Sequence, residues 1–423
     1  VKVRYAVLTL LALLSIITYL DRVCISVAGP RIQEELGIST QQWGWVLGAF
    51  ILSYGLFEIP SGALGDRMGH RVTLSRIVVW WSVFTMLTGA CHGFYALVIC
   101  RFLFGMGEAG AFPNAAGSIG RWFPKLERGR AQGVVWGASR IGGMLSPLLV
   151  IPLMSYFGWR AVFQIFGLVG IVWAGVWYYW YRDWPERHRA VSQSELNELA
   201  LERTDNANAA HERVPWKQLL ASRQLWIIMA MYSFYVWGSM FYLTWFPEYL
   251  LKGRGLSEAQ MGLFTALPFL LGAAGSLLGG FLTDWLSLRY GLNVGRRWMG
   301  ASCLFISGIL LLTTALTTDK WAAVALLALG FAVLDCMLPT AWALCLDIGG
   351  RHAGAISGAM NSAGQLGGLI CTVLFGYIVG NGGRYDTGLA VIGVMVIVSS
   401  SLFAMIDPTR PIIVVETPST VEI

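Results

Sequence analysis

The chain has 423 residues, 56% of them hydrophobic and 13% charged, with a mean hydropathy of +0.60 and a formal net charge of +6. Soluble domains carry roughly a quarter charged residues, so a soluble globular protein is excluded and an all-α integral membrane protein is expected. The positive balance does not point to nucleic acid, because the Lys and Arg residues lie at the ends of apolar runs rather than in one basic domain.

A helix needs about 20 apolar residues to cross about 30 Å of hydrocarbon. On that length, spans fall near 5–28, 41–64, 72–91, 95–117, 131–156 and 160–181, forming a six-helix half over residues 1–181. The basic start of the first span resembles a signal peptide, but Asp21-Arg22 interrupts it and no small-residue cleavage site follows, so it reads as a span. Residues 182–224 turn polar, with Ser192-Gln193-Ser194-Glu195 suited to a solvated helix, and read as a linker. Spans near 225–250, 260–286, 297–317, 321–346, 353–379 and 386–406 then build a second half over 225–410, followed by a tail at 411–423. The expected fold is therefore twelve transmembrane helices in two pseudo-symmetric halves.

With both termini on one side, twenty-one of the 30 Lys and Arg residues fall on that side, six on the other and three inside the membrane. This asymmetry predicts a multi-pass inner-membrane protein with cytoplasmic termini. The seven cysteines lie in or at the ends of apolar spans without a C-x-x-C, so free thiols are expected rather than disulfides or a metal site. No cofactor is expected, and the chain is expected to act as a monomer in the bilayer.

A shift of 225 residues superposes Gly129 on Gly354, Gly133 on Gly358, Ala138 on Ala363, Gly142 on Gly367 and Gly143 on Gly368. Shared Gly at constant offset suggests an internal repeat, and such proteins bind substrate at mid-membrane between the repeats. The same register sets Arg140 opposite Gln365. Facing one cavity, a cation and an amide would favour a negatively charged substrate; the alternative is that Arg140 snorkels to an interface or pairs locally.

Arg22, Arg101 and Arg140, with Asp21 and Glu108, lie within apolar runs. An ionised side chain at mid-bilayer costs about 2.5–3.5 kcal/mol on insertion scales, so this many imply pairing or a hydrated cavity. Arg101 and Glu108 are seven residues apart, on one helix face about 10.5 Å apart along the axis, and so share a cavity without touching. Tyr19 and Arg22 share a face of the first helix, and Tyr54 and Glu58 share one on the second. Asp21 points about a quarter-turn from Arg22, toward a neighbouring helix.

The stretch Gly62-Ala63-Leu64-Gly65-Asp66-Arg67-Met68-Gly69-His70-Arg71, echoed by Gly280-Phe281-Leu282-Thr283-Asp284 and Arg289, resembles the loop between the second and third helices of the major facilitator superfamily. That resemblance implies that Asp66, Arg67, Arg71 and Asp284 dock against the opposite half and close the cytoplasmic side; the alternative is that they only set topology. The run from Arg101 to Asn114, Arg121-Trp122-Phe123-Pro124, Tyr19-Leu20-Asp21-Arg22 and Gly358-Ala359-Met360-Asn361 resemble the anion:cation symporter branch of that superfamily, which includes bacterial sugar-acid transporters, sialin and vesicular glutamate transporters.

The branch implies Arg22 as substrate anchor, Arg101 as coupling cation, and Asp21 and Glu108 as proton-binding acids, with Tyr19, Tyr54, Trp342 and Asn361 as further contacts. Ordinary helix packing remains an equal reading of the aromatics. Glu58 stands where many relatives carry an uncharged polar residue, and reads as a gate partner or as a second proton site. Together these imply proton-coupled symport of a small organic anion, such as an aldonate, uronate or aldarate, by alternating access. Sodium or phosphate coupling and export are the transport alternatives. A transporter-like sensor would need an output domain that the linker is too short to supply. A membrane enzyme is disfavoured, because Ala116-Gly117-Ser118-Ile119-Gly120 lacks the strand-to-helix setting of a nucleophile elbow.

Overall fold

In hydrocarbon, backbone polar groups must be satisfied within their own segment, and the apolar runs accordingly fold as helices. The computed structural model describes residues 2–203, 216–349, 353–382 and 384–412, with the side chains at 59, 63, 66, 125, 126, 129, 199–203, 353 and 354 outside the description. The first half comprises α1 (Val3–Leu36), α2 (Thr40–Met68), α3 (His70–Gly89), α4 (Phe94–Glu108), α5 (Ala111–Trp122) and α6 (Lys125–Trp180). The linker carries α7 (Gln193–Arg203) and α8 (Trp216–Ala221). The second half comprises α9 (Arg223–Thr244), a single turn α10 (Phe246–Glu248), α11 (Glu258–Tyr290), α12 (Met299–Leu316), α13 (Lys320–Gly349), α14 (Ala353–Gly382) and α15 (Tyr385–Phe403).

Among the described residues, ten helices are long and apolar enough to cross a membrane, with α4 and α5 counted as one. At 1.5 Å per residue a straight α6 would run to about 84 Å, far more than one bilayer core. Gly158, at φ 76° and ψ 160°, breaks it into two limbs, a conformation that L side chains rarely adopt. α2, 29 residues long, is not among the ten, and it packs between α4 and α14. With α2 and the second limb of α6, the count is twelve.

Within the first half α1 and α3 pack on α6, and within the second α11 packs on α13, α12 on α15 and α9 on α14. The halves meet along two helix pairs, α2 with α14 and α6 with α11. We call the membrane side bearing the start of α1 the terminal face, and the other the far face.

The linker is fastened to the terminal face. Glu195 of α7 accepts from the backbone N–H groups of Val3 and Arg4 at 3.1 and 3.0 Å, satisfying two of the donors that a helix N-terminus leaves open. Glu198 holds Lys2 at 2.7 Å and Arg4 at 3.1 Å, and these contacts keep its carboxyl below the usual range. The central stretch of the linker, 204–215, and the tail beyond Ile412 lie outside the described residues.

Most side-chain bonds between the halves sit toward the far face. Ser26 donates to the Leu243 carbonyl at 2.7 Å, Arg31 forks onto Glu258 at 2.8 and 2.5 Å, and Gln33 donates to Glu248 at 2.8 Å. A cleft of about 400 Å³, lined by Arg31, Gln33, Thr40, Lys252 and Glu258, opens above them.

Candidate functional site

α1 and α4 bring the first charged pair together in mid-membrane. Arg22 Nε donates to Glu108 Oε1; the Glu108 side chain has no exposed surface, while that of Arg22 is 15% exposed. Four rings surround the guanidinium: Tyr54 at 4.5 Å, Tyr19 at 5.2 Å, Phe50 at 5.3 Å and Phe112 at 5.8 Å. Cation–π attraction of this kind contributes about 0.5–2 kcal/mol to holding a guanidinium, depending on desolvation. Arg22 is thus held by an internal carboxylate and by aromatic faces, with one edge left open.

Arg101, two helical turns from Glu108 on α4, lies over Phe104 at 4.6 Å and Phe50 at 5.0 Å. Asp21 is buried within electrostatic reach of Arg101 and Glu108. Arg101 and Glu108, seven residues apart, form no ion pair with each other. The partner that their spacing did not supply is Arg22, which reaches Glu108 from a different helix.

The second pair crosses between the halves. Arg140 of α6 donates to Asp335 of α13, with N–O distances of 3.1 and 3.0 Å to the two carboxylate oxygens. Arg140 is 11% exposed and Asp335 not at all. Gln365, expected opposite Arg140, packs its Cβ against α2, where a Cβ on Gly55 would meet it at 3.1 Å. The absence of a side chain at Gly55 is what lets α14 approach so closely.

Glu58 of α2 and Asn361 of α14 form the third contact, the Asn361 amide donating to the two carboxylate oxygens at 3.2 and 3.1 Å. Both are half-buried, and Glu58 is within electrostatic reach of Arg22. Of the bonds between the halves described here, this one lies nearest the terminal face. Tyr19 and Tyr54 are buried against Arg22, whereas Trp342 is 37% exposed and stands beside Tyr232.

Of the four loop residues expected to dock across the halves, Arg71 and Asp284 are engaged within their own half. Arg71 takes Asp183 on its backbone N–H at 3.1 Å, donates to the Tyr178 carbonyl at 2.7 Å and lies over the Tyr178 ring at 4.6 Å. Asp284 pairs with Arg296 at 3.2 Å, and Arg67 is exposed. The side chain of Asp66 lies outside the described residues. Asp183, which the sequence reading passed over, organises this corner: it also takes Arg121 at 3.2 Å, and it fills the space where Gly69 has no side chain.

Asp335 was likewise missed. The criterion that singled out Glu108, an acid inside an apolar run, would have found it in Leu334-Asp335-Cys336.

Residues 11–372 match the Major Facilitator Superfamily. The chain belongs to that superfamily. It is therefore a multi-pass membrane transporter and not an enzyme. It is 36% identical to a probable sulfoacetate transporter of Cupriavidus necator, over 96% of this chain and 95% of that one. It is 30% identical to a hexuronate transporter of Bacillus subtilis, over 97% and 96%, and 31% identical to a D-galactonate transporter of Escherichia coli, over 93% and 94%. A bacterial homologue of the lysosomal transporter Spinster, solved in an inward-facing and occupied conformation, shares the fold with a TM-score of 0.76 at 20% identity, over 95% of this chain and 96% of that one.

Proposed function

We propose that the protein is a proton-coupled symporter of a small organic anion, of the sugar-acid or sulfonate type, that works by alternating access as a monomer in the inner membrane. The sulfoacetate, hexuronate and D-galactonate transporters it resembles are named for such acids, and three guanidinium groups in mid-membrane, Arg101 buried and Arg22 and Arg140 partly open, suit a carboxylate or sulfonate, which Arg holds through paired N–H donors. The Lys and Arg asymmetry supports a cytoplasmic terminal face. Ties concentrated at the far face fit a state open toward the cytoplasm.

The observation that carries this reading is the Arg22–Glu108 pair, a partly open guanidinium occupied by a fully buried carboxylate. A substrate acid group and ionised Glu108 compete for Arg22. Once Glu108 takes a proton, the competition ends and the anion docks, so proton and substrate bind with positive coupling. Arg101 and Asp21 set the field around Glu108, and the four rings keep Arg22 in place during the exchange. Glu58 and Asn361 act as a latch between the halves, undone and remade as the access path alternates.

The test is Glu108→Gln in proteoliposomes. Exchange of labelled substrate across the membrane is expected to persist, while accumulation driven by a pH gradient is lost. Accumulation equal to that of the unaltered protein would remove Glu108 from the coupling step.

A further inference from the structure

Arg22 and Arg140 both reach the seam with part of their surface open, and each is matched by a carboxylate with none. One ring lies near both: Tyr19 is 5.2 Å from the Arg22 guanidinium and within electrostatic reach of Arg140. The Arg22 pair is built inside one half, whereas Arg140 finds its counter-ion in the other. Asp335 has no role in the reading given so far.

We propose that Asp335 is a proton-accepting counter-ion dedicated to Arg140, so that the site takes an organic dianion, one acidic group on each guanidinium, together with two protons. This deepens the symport reading and rests on it. An acidic group arriving at Arg140 displaces Asp335, and a buried carboxylate stripped of its partner neutralises by taking up a proton rather than remaining ionised. The same exchange takes place between the other acidic group and Glu108 at Arg22. Each negative charge that enters is balanced by one proton drawn from the water on that side, so the loaded site carries the charge of the empty one.

The groups around each acid are consistent with this pairing. Asp335 is faced by Arg140 from α6, by Tyr235 and Tyr242 from α9, and by its neighbour Cys336. Phenols and thiols are neutral near pH 7, so Arg140 is the charge that Asp335 answers. Glu108 is faced by Arg22 and Asp21 from α1, Tyr54 from α2 and Arg101 on its own helix. A monoanion engages Arg22 alone, leaves Arg140 with Asp335 and moves with one proton.

The experiment compares galactarate and sulfoacetate, each with two acidic groups, with galactonate, which has one, in proteoliposomes holding the purified protein. Imposed potassium-diffusion potentials are set against pH gradients, and the condition of zero net flux reads protons per substrate. The unaltered protein is expected to move two protons with a dianion, insensitive to potential, and one with galactonate. Asp335→Asn is expected to move one proton per dianion and to be accelerated by an inside-positive potential. The paired variant Arg140→Gln with Asp335→Asn strands no charge, and is expected to lose at least tenfold in dianion affinity while galactonate changes less than threefold. One proton per dianion in the unaltered protein, transport confined to galactonate, or two protons per dianion in Asp335→Asn would overturn the proposal while leaving symport standing. Failure of a pH gradient to concentrate any of the three acids would sink the symport reading, and this proposal with it.

Discussion

Removing Arg22 should expose how much the protein depends on the bond to Glu108, by an amount that pH controls. In Arg22→Ala the Glu108 carboxylate, with no exposed surface, loses its ion-pair partner. Breaking a buried pair in this way costs about 3–5 kcal/mol. The loss has a ceiling, because Glu108 can take up a proton instead of staying charged. With an unfolded-state pKa of about 4.3 and about 1.36 kcal/mol per pH unit, protonating it at pH 7 costs about 3.7 kcal/mol, at pH 6 about 2.3 and at pH 5 about 1. The sign follows from proton uptake by the folded variant: its deficit grows as pH rises and fades as pH falls toward the unfolded-state value.

Loss of the guanidinium from its four rings adds a pH-independent term of about 0.5–2 kcal/mol. Adding Glu108→Gln to Arg22→Ala removes the stranded acid, and should recover most of the pH-dependent part, about 3.7 kcal/mol, at pH 7 but no more than about 1 kcal/mol at pH 5. Equilibrium unfolding in detergent, run on the single and double variants across that range, measures both slopes. A deficit in Arg22→Ala that does not change with pH, or a double variant no more stable than the single one at pH 7, would refute the reasoning.

Two further predictions concern the seam. Glu58→Gln keeps an acceptor for Asn361, and should keep pH-driven uptake, whereas Glu58→Ala loses a charge-assisted hydrogen bond worth about 1.5–3 kcal/mol and should weaken closure between the halves at least tenfold, read as a change in the rate of substrate exchange. Equal loss of pH-driven uptake in both variants would make Glu58 a proton site instead of a latch. At the far face the Arg31–Glu258 side chains are 34% and 36% exposed, so the pair is worth at most about 1 kcal/mol despite its forked geometry. Arg31→Ala should therefore shift the open fraction of that face by no more than about fivefold, seen by pulsed electron resonance between spin labels at Tyr156 and Leu316; complete opening would mean that the Gln33–Glu248 contact beside it carries none of the closure.

The fold was legible because the bilayer imposes one length on every span, and the apolar runs display it directly. Even α6, continuous across two expected spans, turns at Gly158, inside the gap anticipated at 157–159. The charged site was legible in its members more than in its pairings. Arg22, Glu108 and Arg140 stood out as ions in apolar surroundings, but which acid meets which guanidinium depends on the rotation of helices that lie 86 and 195 residues apart in the chain. The motif at Asp66 to Arg71 shows another limit. Under the proposed alternating access one sequence serves every conformation of the cycle, so a contact implied across the halves need not be made in the state described, where Arg71 turns to Asp183 and Tyr178.

Uptake of labelled galactonate, galactarate and sulfoacetate into sealed proteoliposomes, with an inward proton gradient as the driving force, tests the account most directly. Accumulation of at least one acid above its external concentration, abolished by a protonophore, is the result expected. Equilibration without accumulation, or accumulation that survives the protonophore, would contradict it.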